Sequence, residues 1–426
     1  MSILEIIEKK FLKQELTEKE IYYFINGFCS GEIKDYQISS LLMAIRFNGM
    51  SDDETYYLTK AMIESGKTLD LSSINGITVD KHSTGGVGDK TSLVVVPLLA
   101  SLGFKVAKMS GRGLGFTGGT ADKLEAIPGF QTVLSLEDFY KQVNEIGCSN
   151  ITQSEDLVLA DKLLYALRDV TGTVQSLPLI ASSIMSKKIA LGTQMICLDV
   201  KAGNGAFFKT REEAQEAAKL MIKIGEKFNV KVKAIITSMD EPLGNNVGNT
   251  MEVEEAIDTL LCKGPQDLED VSIEIAKLVM QETDLYPSDT NYEEVIREKL
   301  TSKAAYNKLL EMIHAQHGSL PLKKEELHET IISSLEEGYI YTIDTMTLGN
   351  QLVELGGGRK EKEDAIDFAV GFTILNKINN YVKKGDPIFK VYSRAPLTKE
   401  MIDTFLNTIT LKESKNLEFK EIYDIF

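Results

Sequence analysis

The chain has 426 residues, of which 43% are hydrophobic, and its 63 acidic residues against 47 basic ones give a formal charge of -16. This length exceeds what one hydrophobic core usually serves, so we expect two or three domains, and the acidic balance argues against a general nucleic-acid or anionic-membrane surface. The four cysteines have neither metal-site nor disulfide spacing and no run is apolar enough for a membrane span or signal peptide, so the sequence favours a reduced, cytoplasmic protein.

The amino-terminal segment, to about residue 66, predicts a small helical bundle. Its apolar residues recur at three- and four-residue spacings, which gives each helix one apolar face. Thr17 stands three residues before Glu20, and Ser51 stands three residues before Glu54. Both pairs have the form of a capping box, which marks the start of a helix.

From about residue 78 the pattern changes to short apolar runs separated by loops and helices. This alternation is typical of parallel strands joined by crossover helices. Loops at the carboxyl ends of such strands usually carry the chemistry. We predict strands near 77–79, 105–109, 195–200 and 232–238, and helices over 91–102, 119–126, 136–146, 212–228 and 250–261.

A polar-rich helical segment interrupts this pattern, and the carboxyl-terminal part has a third texture. If the interruption packs with the first helices, the helical domain is discontinuous and a substrate cleft lies at its junction with the sheet. The glycine-punctuated alternation after residue 331 resembles small β-rich modules. We therefore predict a helical domain of 1–66 and 161–192, an α/β domain of 74–160 and 193–330 with a mixed, mostly parallel sheet, and a carboxyl-terminal module of 335–426.

Two glycine-rich loops lie between residues 79 and 125, each at the start of a predicted helix. Backbone N–H groups at such turns carry partial positive charge. Serine and threonine side chains are most often caps and turn formers, but their clustering on two loops beside a cation favours a phosphate pocket. The candidate phosphate ligands are Lys81, Ser83, Ser92, Ser110 and Thr120.

Both loops partly match nucleotide-binding motifs. A P-loop would need glycine where this chain has Thr84 and Asp89, and Asp89 would place a carboxylate against the phosphates. The segment from Gly113 to Gly118 matches GxGxxG, but Glu137 and Asp138, about 20 positions on, fall at a predicted helix start rather than at a strand end. Both mismatches argue against a bound nucleotide cofactor.

A second group of polar residues occupies the interrupting segment. Ser183 and Lys187 are one helical turn apart, and Arg168 precedes a turn. Arginine and lysine can bind the carbonyl oxygens of a planar heterocycle and stabilise its negative charge, but without further context a solvated helix face is the better explanation of these residues. His82, between a lysine and a serine, is a candidate proton donor or a structural donor.

Long motifs in the chain resemble the thymidine and pyrimidine-nucleoside phosphorylases. These motifs are DKHSTGGVGD, SGRGLGFTGGTADKLE, YALRDVTGTVQSLPLIASSIMSKK and GGGRKEKEDAIDFAVGF. The resemblance runs over nearly the whole chain and implies a helical and an α/β domain that close about substrate, a homodimer, and no cofactor beyond phosphate as co-substrate. It also implies phosphorolysis of uridine, thymidine and deoxyuridine to a free pyrimidine and ribose- or deoxyribose-1-phosphate.

The resemblance assigns roles to the candidate residues. It makes the five loop residues phosphate ligands, places His82 near base and ribose, and makes Arg168, Ser183 and Lys187 pyrimidine ligands. Lys108 stands where broad-specificity members resemble this chain, so its ammonium is expected to meet a ribose 2′-hydroxyl. We therefore expect uridine as well as thymidine to be cleaved.

The chain departs from the family at two places. Phe116 replaces a histidine associated with holding the closed cleft, so closure is expected to use other contacts around residues 203–205. Lys90 replaces a threonine of a monovalent-cation site, and we expect its ammonium to take the place of potassium and pair with Glu255. The other candidate cation ligands are Gly88, Leu243 and Asn246.

Three rival hypotheses follow. A strict thymidine phosphorylase would reject uridine, and a phosphoribosyltransferase of the same fold would use a pyrophosphorylated ribose and magnesium. A nucleoside-binding regulatory protein would bind without cleaving.

Overall fold

The structure is a computed structural model that describes residues 1–113, 115–152, 157–361 and 364–426. Leu114 of the second glycine loop, two residues of the GGGRKEKED motif, and residues 153–156 near a predicted domain boundary lie outside the described residues.

The described residues form helices and strands in the following order along the chain. The helices are α1 (Ile3–Phe11), α2 (Glu18–Cys29), α3 (Asp35–Asn48), α4 (Asp52–Glu64), α5 (Thr91–Ser101), α6 (Thr120–Glu125), α7 (Leu136–Ile146), α8 (Leu159–Thr171), α9 (Leu177–Ala190), α10 (Arg211–Lys227), α11 (Asn249–Leu260), α12 (Gln266–Gln281), α13 (Tyr292–Thr301), α14 (Ala304–Ala315), α15 (Thr345–Glu354) and α16 (Lys399–Asn407). The strands are β1 (Thr78–Ser83), β2 (Lys105–Ser110), β3 (Cys148–Thr152), β4 (Met195–Ala202), β5 (Lys231–Ser238), β6 (Asn246–Val247), β7 (His328–Ser333), β8 (Gly338–Ile343), β9 (Gly371–Ile374), β10 (Tyr381–Val382), β11 (Pro387–Ser393), β12 (Ile409–Lys412) and β13 (Ile422–Ile425).

The chain packs as two compact units, each made of three segments. The helical unit is Met1–Ser73, Gln153–Ile196 and Glu216–Lys233, and the sheet unit is Ile74–Thr152, Cys197–Gln215 and Ala234–Phe426. This division places most of α10 in the helical unit and keeps the carboxyl-terminal part within the sheet unit. The domain boundaries drawn from the sequence stay a prediction.

The helical unit follows from the amphipathic pattern of its sequence. Both capping boxes are present: the Thr17 and Ser51 hydroxyls accept from the N–H groups of Glu20 and Glu54, whose carboxylates accept in return. Helix α4 packs against α2, α8 and α9, which brings the interrupting segment to the amino-terminal helices. The sequence predicted these helices correctly.

A six-stranded sheet organises the other unit, in the order β13, β5, β4, β1, β2, β3. Strand β2 runs parallel to both β1 and β3, whereas β13 runs antiparallel to β5. The mixed, mostly parallel sheet expected from the sequence is therefore confirmed. Helix α5 is apolar on nearly all sides, as a helix covered all round must be, and it packs against α12 and α14.

The carboxyl-terminal part is β-rich, as predicted. It contains a three-stranded sheet (β10, β8, β12) and three strands of a four-stranded sheet (β6, β9, β11, β7), to which residues 246–247 add β6 by antiparallel pairing with β9. Phe372, Phe389 and Phe405 are fully buried between its elements, and their ring centroids lie 5.3 to 6.3 Å apart. Aromatic rings of this size supply much of the apolar area of a small core.

Candidate active site

The first glycine loop connects β1 to α5. Gly85 and Gly88 have φ angles of 87° and 74°, a left-handed conformation that glycine adopts without strain. The Ser83 hydroxyl accepts a hydrogen bond from the Gly85 N–H at 3.1 Å. Ser92 lies in the first turn of α5 and is 5% exposed. The loop thus ends at a helix start, where unpaired N–H groups favour an anion.

The second glycine loop connects β2 to α6. A Cβ atom on Gly119 would lie only 2.1 Å from the backbone nitrogen of Gly113, so the two ends of this loop pack too closely for any other residue. The Ser110 hydroxyl, at the end of β2, donates to Asn150 Oδ1 at 2.7 Å. Thr120 is half-buried in the first turn of α6.

Lys123 of α6 connects the two loops. Its ammonium donates to the backbone carbonyl of Asp89 at 2.6 Å and lies 2.8 Å from a carboxylate oxygen of Glu252. Lys123 and Glu252 are each 1% exposed. Lys123 therefore connects the first loop to the helix that follows the second loop, and the phosphate pocket expected from the two loops stays a prediction.

Lys81 belongs to a buried cluster of opposite charges beneath the first loop. Its ammonium and that of Lys201 lie 2.9 and 2.8 Å from the same oxygen of Asp199. Burial alone would raise the pKa values of Asp89 and Asp199, but the positive charges of Lys201 and Lys81 outweigh it and hold both pKa values below their ordinary range. The cluster therefore remains charged, and the Lys201 ammonium, 3.8 Å from Asp89 Oδ1, connects it to the first loop.

Lys108 and His82 lie on neighbouring strands of the sheet. The Lys108 ammonium, 3% exposed, donates to the carbonyl of Met109 at 3.0 Å and lies 3.9 Å from Asp80 Oδ1 on β1. His82 is half-buried on β1. Lys108, the predicted ribose ligand, therefore lies on the strand next to the one that carries His82, the predicted proton donor.

Arg168, in the helical unit, braces the turn between α8 and α9. Its guanidinium donates to the backbone carbonyls of Thr173, Val174 and Leu179 at 3.2, 2.7 and 3.1 Å. Burial lowers the pKa of this guanidinium from its ordinary value, although arginine stays protonated. These three bonds use three of its five N–H donors.

Lys187 and Ser183 meet Asp161, a residue that the sequence analysis missed. The Lys187 ammonium pairs with Asp161 Oδ2 and donates to the Ser183 hydroxyl at 2.9 Å. The other oxygen of Asp161, Oδ1, is buried and accepts no hydrogen bond from the described residues. Asp161 precedes Arg168 by seven positions on α8, two helical turns, so the two side chains share a face. That spacing was the available signal.

Asp199 and Lys201 were also missed. They interrupt β4, whose eight residues are all buried, and charged residues are rarely buried unless they are paired. The signal was present in the run MICLDVKA. The partner of Asp199 could be recognised only from the fold, which places Lys81 of β1 on the strand next to β4.

The candidate ligands divide between the two units. The phosphate candidates, with His82 and Lys108, belong to the sheet unit, and Arg168, Ser183 and Lys187 belong to the helical unit. The cleft expected between them stays a prediction.

The candidate cation ligands converge on Lys90. Its ammonium donates to the carbonyls of Leu243 and Asn246 and lies 2.6 Å from a Glu255 oxygen. Gly88 adjoins the same segment, since its Cβ would lie 3.1 Å from the carbonyl of Leu243. The pairing of Lys90 with Glu255 that we expected is thus observed. Across the described ranges, no cluster of three or more His, Cys, Asp or Glu side chains is placed to hold a metal ion.

Phe116 packs against the carboxyl-terminal core, and the Lys209 ammonium lies 5.1 Å from its ring centre. This cation–π contact joins the second loop to the segment that follows Gly205. The same segment contacts the first loop, where the Val87 N–H donates to the Gly205 carbonyl at 3.3 Å. These contacts are of the kind expected in place of the family's histidine, and their part in closure stays a prediction.

Three family models match this chain. The "Glycosyl transferase family, a/b domain" matches residues 75–306, and the "Glycosyl transferase family, helical bundle domain" matches residues 4–66. The "Pyrimidine nucleoside phosphorylase C-terminal domain" matches residues 339–412.

Of the helices in the described chain, none has both the length and the apolar character needed to cross a bilayer.

Relatives and one solved structure agree with these models. A protein named pyrimidine-nucleoside phosphorylase from Staphylococcus epidermidis is 45% identical to this chain over 421 residues, which cover 97% of both chains. One of the same name from Bacillus subtilis is 46% identical over 421 residues, which cover 96% of both chains. The crystal structure of anthranilate phosphoribosyltransferase from Thermus thermophilus has the same fold, with a TM-score of 0.59 and 19% identity over 73% of this chain and 99% of that one. The chain therefore belongs to the pyrimidine-nucleoside phosphorylase family of glycosyl transferases.

Proposed function

We propose that this protein catalyses the phosphorolysis of pyrimidine nucleosides. The observation that carries the proposal is 45–46% identity along nearly the whole chain to proteins named for this activity. In the reaction a phosphate oxygen forms a bond to the anomeric carbon as the bond to the pyrimidine nitrogen breaks. The electron pair stays on the base, which takes up a proton, and ribose- or deoxyribose-1-phosphate is the other product.

The pyrimidine side of the reaction needs positive charge near the departing base. Arg168 has two N–H donors beyond the three that hold backbone carbonyls, and these suit a pyrimidine carbonyl. Lys187 supplies a second cation, and Ser183 a hydroxyl on the same helix face. Cations that act on charge developing in the transition state lower the barrier most, and His82 is our candidate for delivering the proton.

The phosphate side needs fixed donors that do not reorganise during the reaction. The two glycine loops offer helix-start N–H groups together with Ser83, Ser92, Ser110 and Thr120. We assign Lys81 a dual part, as a phosphate ligand and as a member of the buried charge cluster that holds the first loop. Holding phosphate beside nucleoside makes the attack effectively intramolecular and favours it over attack by water.

An absorbance assay tests the proposal against its rivals. Purified protein is incubated with uridine or thymidine, with and without phosphate, in the presence of a chelator. Phosphate-dependent cleavage despite the chelator is expected. Cleavage of thymidine alone would indicate a strict thymidine phosphorylase, and activity seen only when magnesium and a pyrophosphorylated ribose replace the chelator and phosphate would indicate a phosphoribosyltransferase. Binding without cleavage would indicate a regulatory protein.

We extend the proposal to substrate range and assembly. Lys108, through the ribose 2′-hydroxyl, is proposed to admit uridine as well as thymidine and deoxyuridine. We also propose a cytoplasmic homodimer that uses no cofactor beyond phosphate; the four unpaired thiols suit a reducing compartment. Light scattering on the purified protein gives the mass, and a monomer would contradict the dimer.

A further inference from the structure

The Lys90 side chain lies inside a ring of oxygen atoms within the sheet unit. Its ammonium donates to Leu243 O at 2.7 Å, to Asn246 O at 2.8 Å and to Glu255 Oε2 at 2.6 Å. Lys90 is 1% exposed and Glu255 is 5% exposed. An ammonium group has three N–H donors and no acceptor, so these three bonds use its full capacity.

The oxygen ring is held from outside by hydrogen bonds of its own. The N–H groups of Asn245 and Asn246 donate to the Glu255 carboxylate at 3.0 to 3.2 Å. The N–H of Gly244 donates to Asp267 Oδ2 at 2.9 Å. These hydrogen bonds hold residues 243–246 in place. The carbonyl groups of Leu243 and Asn246 therefore define a preformed position for a positively charged group.

A second lysine reinforces the same segment from the carboxyl-terminal part. Lys377 pairs with Asp267 and lies 3.1 Å from a Glu241 oxygen, and the N–H of the next residue, Ile378, donates to Glu241 at 2.7 Å. Buried ion pairs are costly unless each charge is matched and hydrogen-bonded. Here the carboxylates of Glu255, Asp267 and Glu241 each accept a hydrogen bond from a backbone N–H and each pair with a lysine.

Carbonyl and carboxylate oxygens around a buried point are the ligands that hard cations prefer. The family resemblance implies a monovalent cation at this place, held by Gly88, Leu243, Asn246 and Glu255. The residues present do not fit one, because each of the three converging oxygens already accepts an N–H from Lys90. A metal ion would also stand against a fixed positive charge at close range.

We propose that Lys90 is a built-in monovalent cation, covalently tethered, which makes the activity independent of potassium. The residue lies between the first glycine loop and α5, so two of its bonds fasten that loop to the 243–246 segment and the third fastens it to Glu255 of α11. A dissociable ion would do so only at sufficient concentration. The loop geometry needed for phosphate thereby becomes insensitive to the ionic composition around the protein.

The experiment compares the whole protein with two variants in potassium chloride and in tetramethylammonium chloride at equal ionic strength. Thermal unfolding and phosphorolysis rates are both measured. The unchanged protein is expected to give the same Tm and rate in the two salts. Lys90→Thr removes the ammonium and leaves a hydroxyl beside the oxygen ring, so it is expected to have a lower Tm and rate in tetramethylammonium, both raised by potassium.

Lys90→Met is the matched control, because it also removes the charge but supplies no oxygen ligand. Potassium is expected to raise its Tm and rate much less than those of the threonine variant. The proposal is overturned if potassium raises the Tm or rate of the unchanged protein, a result that needs neither variant to fold. It is also overturned if potassium affects the two variants equally. Because Tm is read independently of catalysis, a failure of the proposed reaction would leave this comparison intact.

Discussion

Replacing Asp161 by asparagine tests whether the carboxylate positions Lys187 for the pyrimidine. The substitution preserves size and removes the charge that pairs with the Lys187 ammonium. Lys187 would keep its hydrogen bond to Ser183 but lose the partner that restrains the direction of its side chain. We therefore expect a defect confined to the nucleoside.

The burial of the pair sets the size of the expected effect. The Asp161 side chain is 6% exposed and that of Lys187 is 25% exposed. An exposed ion pair contributes about 0–1 kcal/mol, and breaking a fully buried one costs about 3–5 kcal/mol. Because this ion pair is partly buried, we expect its loss to cost about 1.5–3 kcal/mol, the contribution of a hydrogen bond to a charged group. The corresponding loss in kcat/KM for nucleoside is about 10- to 150-fold.

Initial rates at varied nucleoside and saturating phosphate, and then the reverse, separate the two substrates. The KM for phosphate should not change, and Asp161→Glu should recover part of the lost activity because it restores the charge. Asp52→Asn, which breaks an exposed pair with Lys223 in the same unit, is the control and should change no parameter. The reasoning is refuted if a folded Asp161→Asn variant keeps its nucleoside kcat/KM, or if the phosphate KM rises equally.

Three further predictions concern the sheet unit and the thiols. Lys108→Met should lower kcat/KM for uridine by about 10-fold or more relative to thymidine, the loss of one charged hydrogen bond; equal losses on both nucleosides would contradict a role at the 2′-hydroxyl. Asp199→Asn should cost about 3–5 kcal/mol of stability at neutral pH, because it leaves buried lysines without a partner. The folded pKa of Asp199 lies below its ordinary 3.8, so its contribution is present above that pH and lost as pH falls further, and thermal scans of variant and parent should converge in acid. A thiol reagent at pH 8 should label the exposed Cys262 first and reach Cys148 and Cys197 only on unfolding, because burial raises both their pKa values to about 12; rapid labelling of all the thiols would refute this.

Elements with a clear period were predictable, and short ones were not. The amino-terminal helices show apolar spacing, and α2 and α4 also begin with capping boxes. Strand β3, with the sequence CSNIT, and strand β13, with the sequence IYDI, are too short for alternation to stand out. β13 also pairs with β5, almost 200 positions earlier in the chain, so no local pattern reveals its partner.

The candidate site divides in the same way. Ligand types and spacings were readable within single motifs, since Ser183 and Lys187 share one helix and the glycine loops each precede a helix start. The partners of those residues were not readable, because Asp161 and Asp199 reach them from other elements. Lys90 is the exception: its pairing with Glu255 followed from the resemblance, and the two carbonyl bonds that complete it required the fold.

The alternation of the two units along the chain has a consequence for engineering. Each unit is assembled from three separated segments, and three of the junctions fall inside β4, α10 and β5 rather than in loops. Neither unit can therefore be produced as one uninterrupted fragment. Recombination with a relative at a single crossover would always mix segments of both units, so chimaeras that exchange one unit intact need several matched breakpoints. Libraries that shuffle whole units should be designed in three dimensions rather than by cutting the gene once.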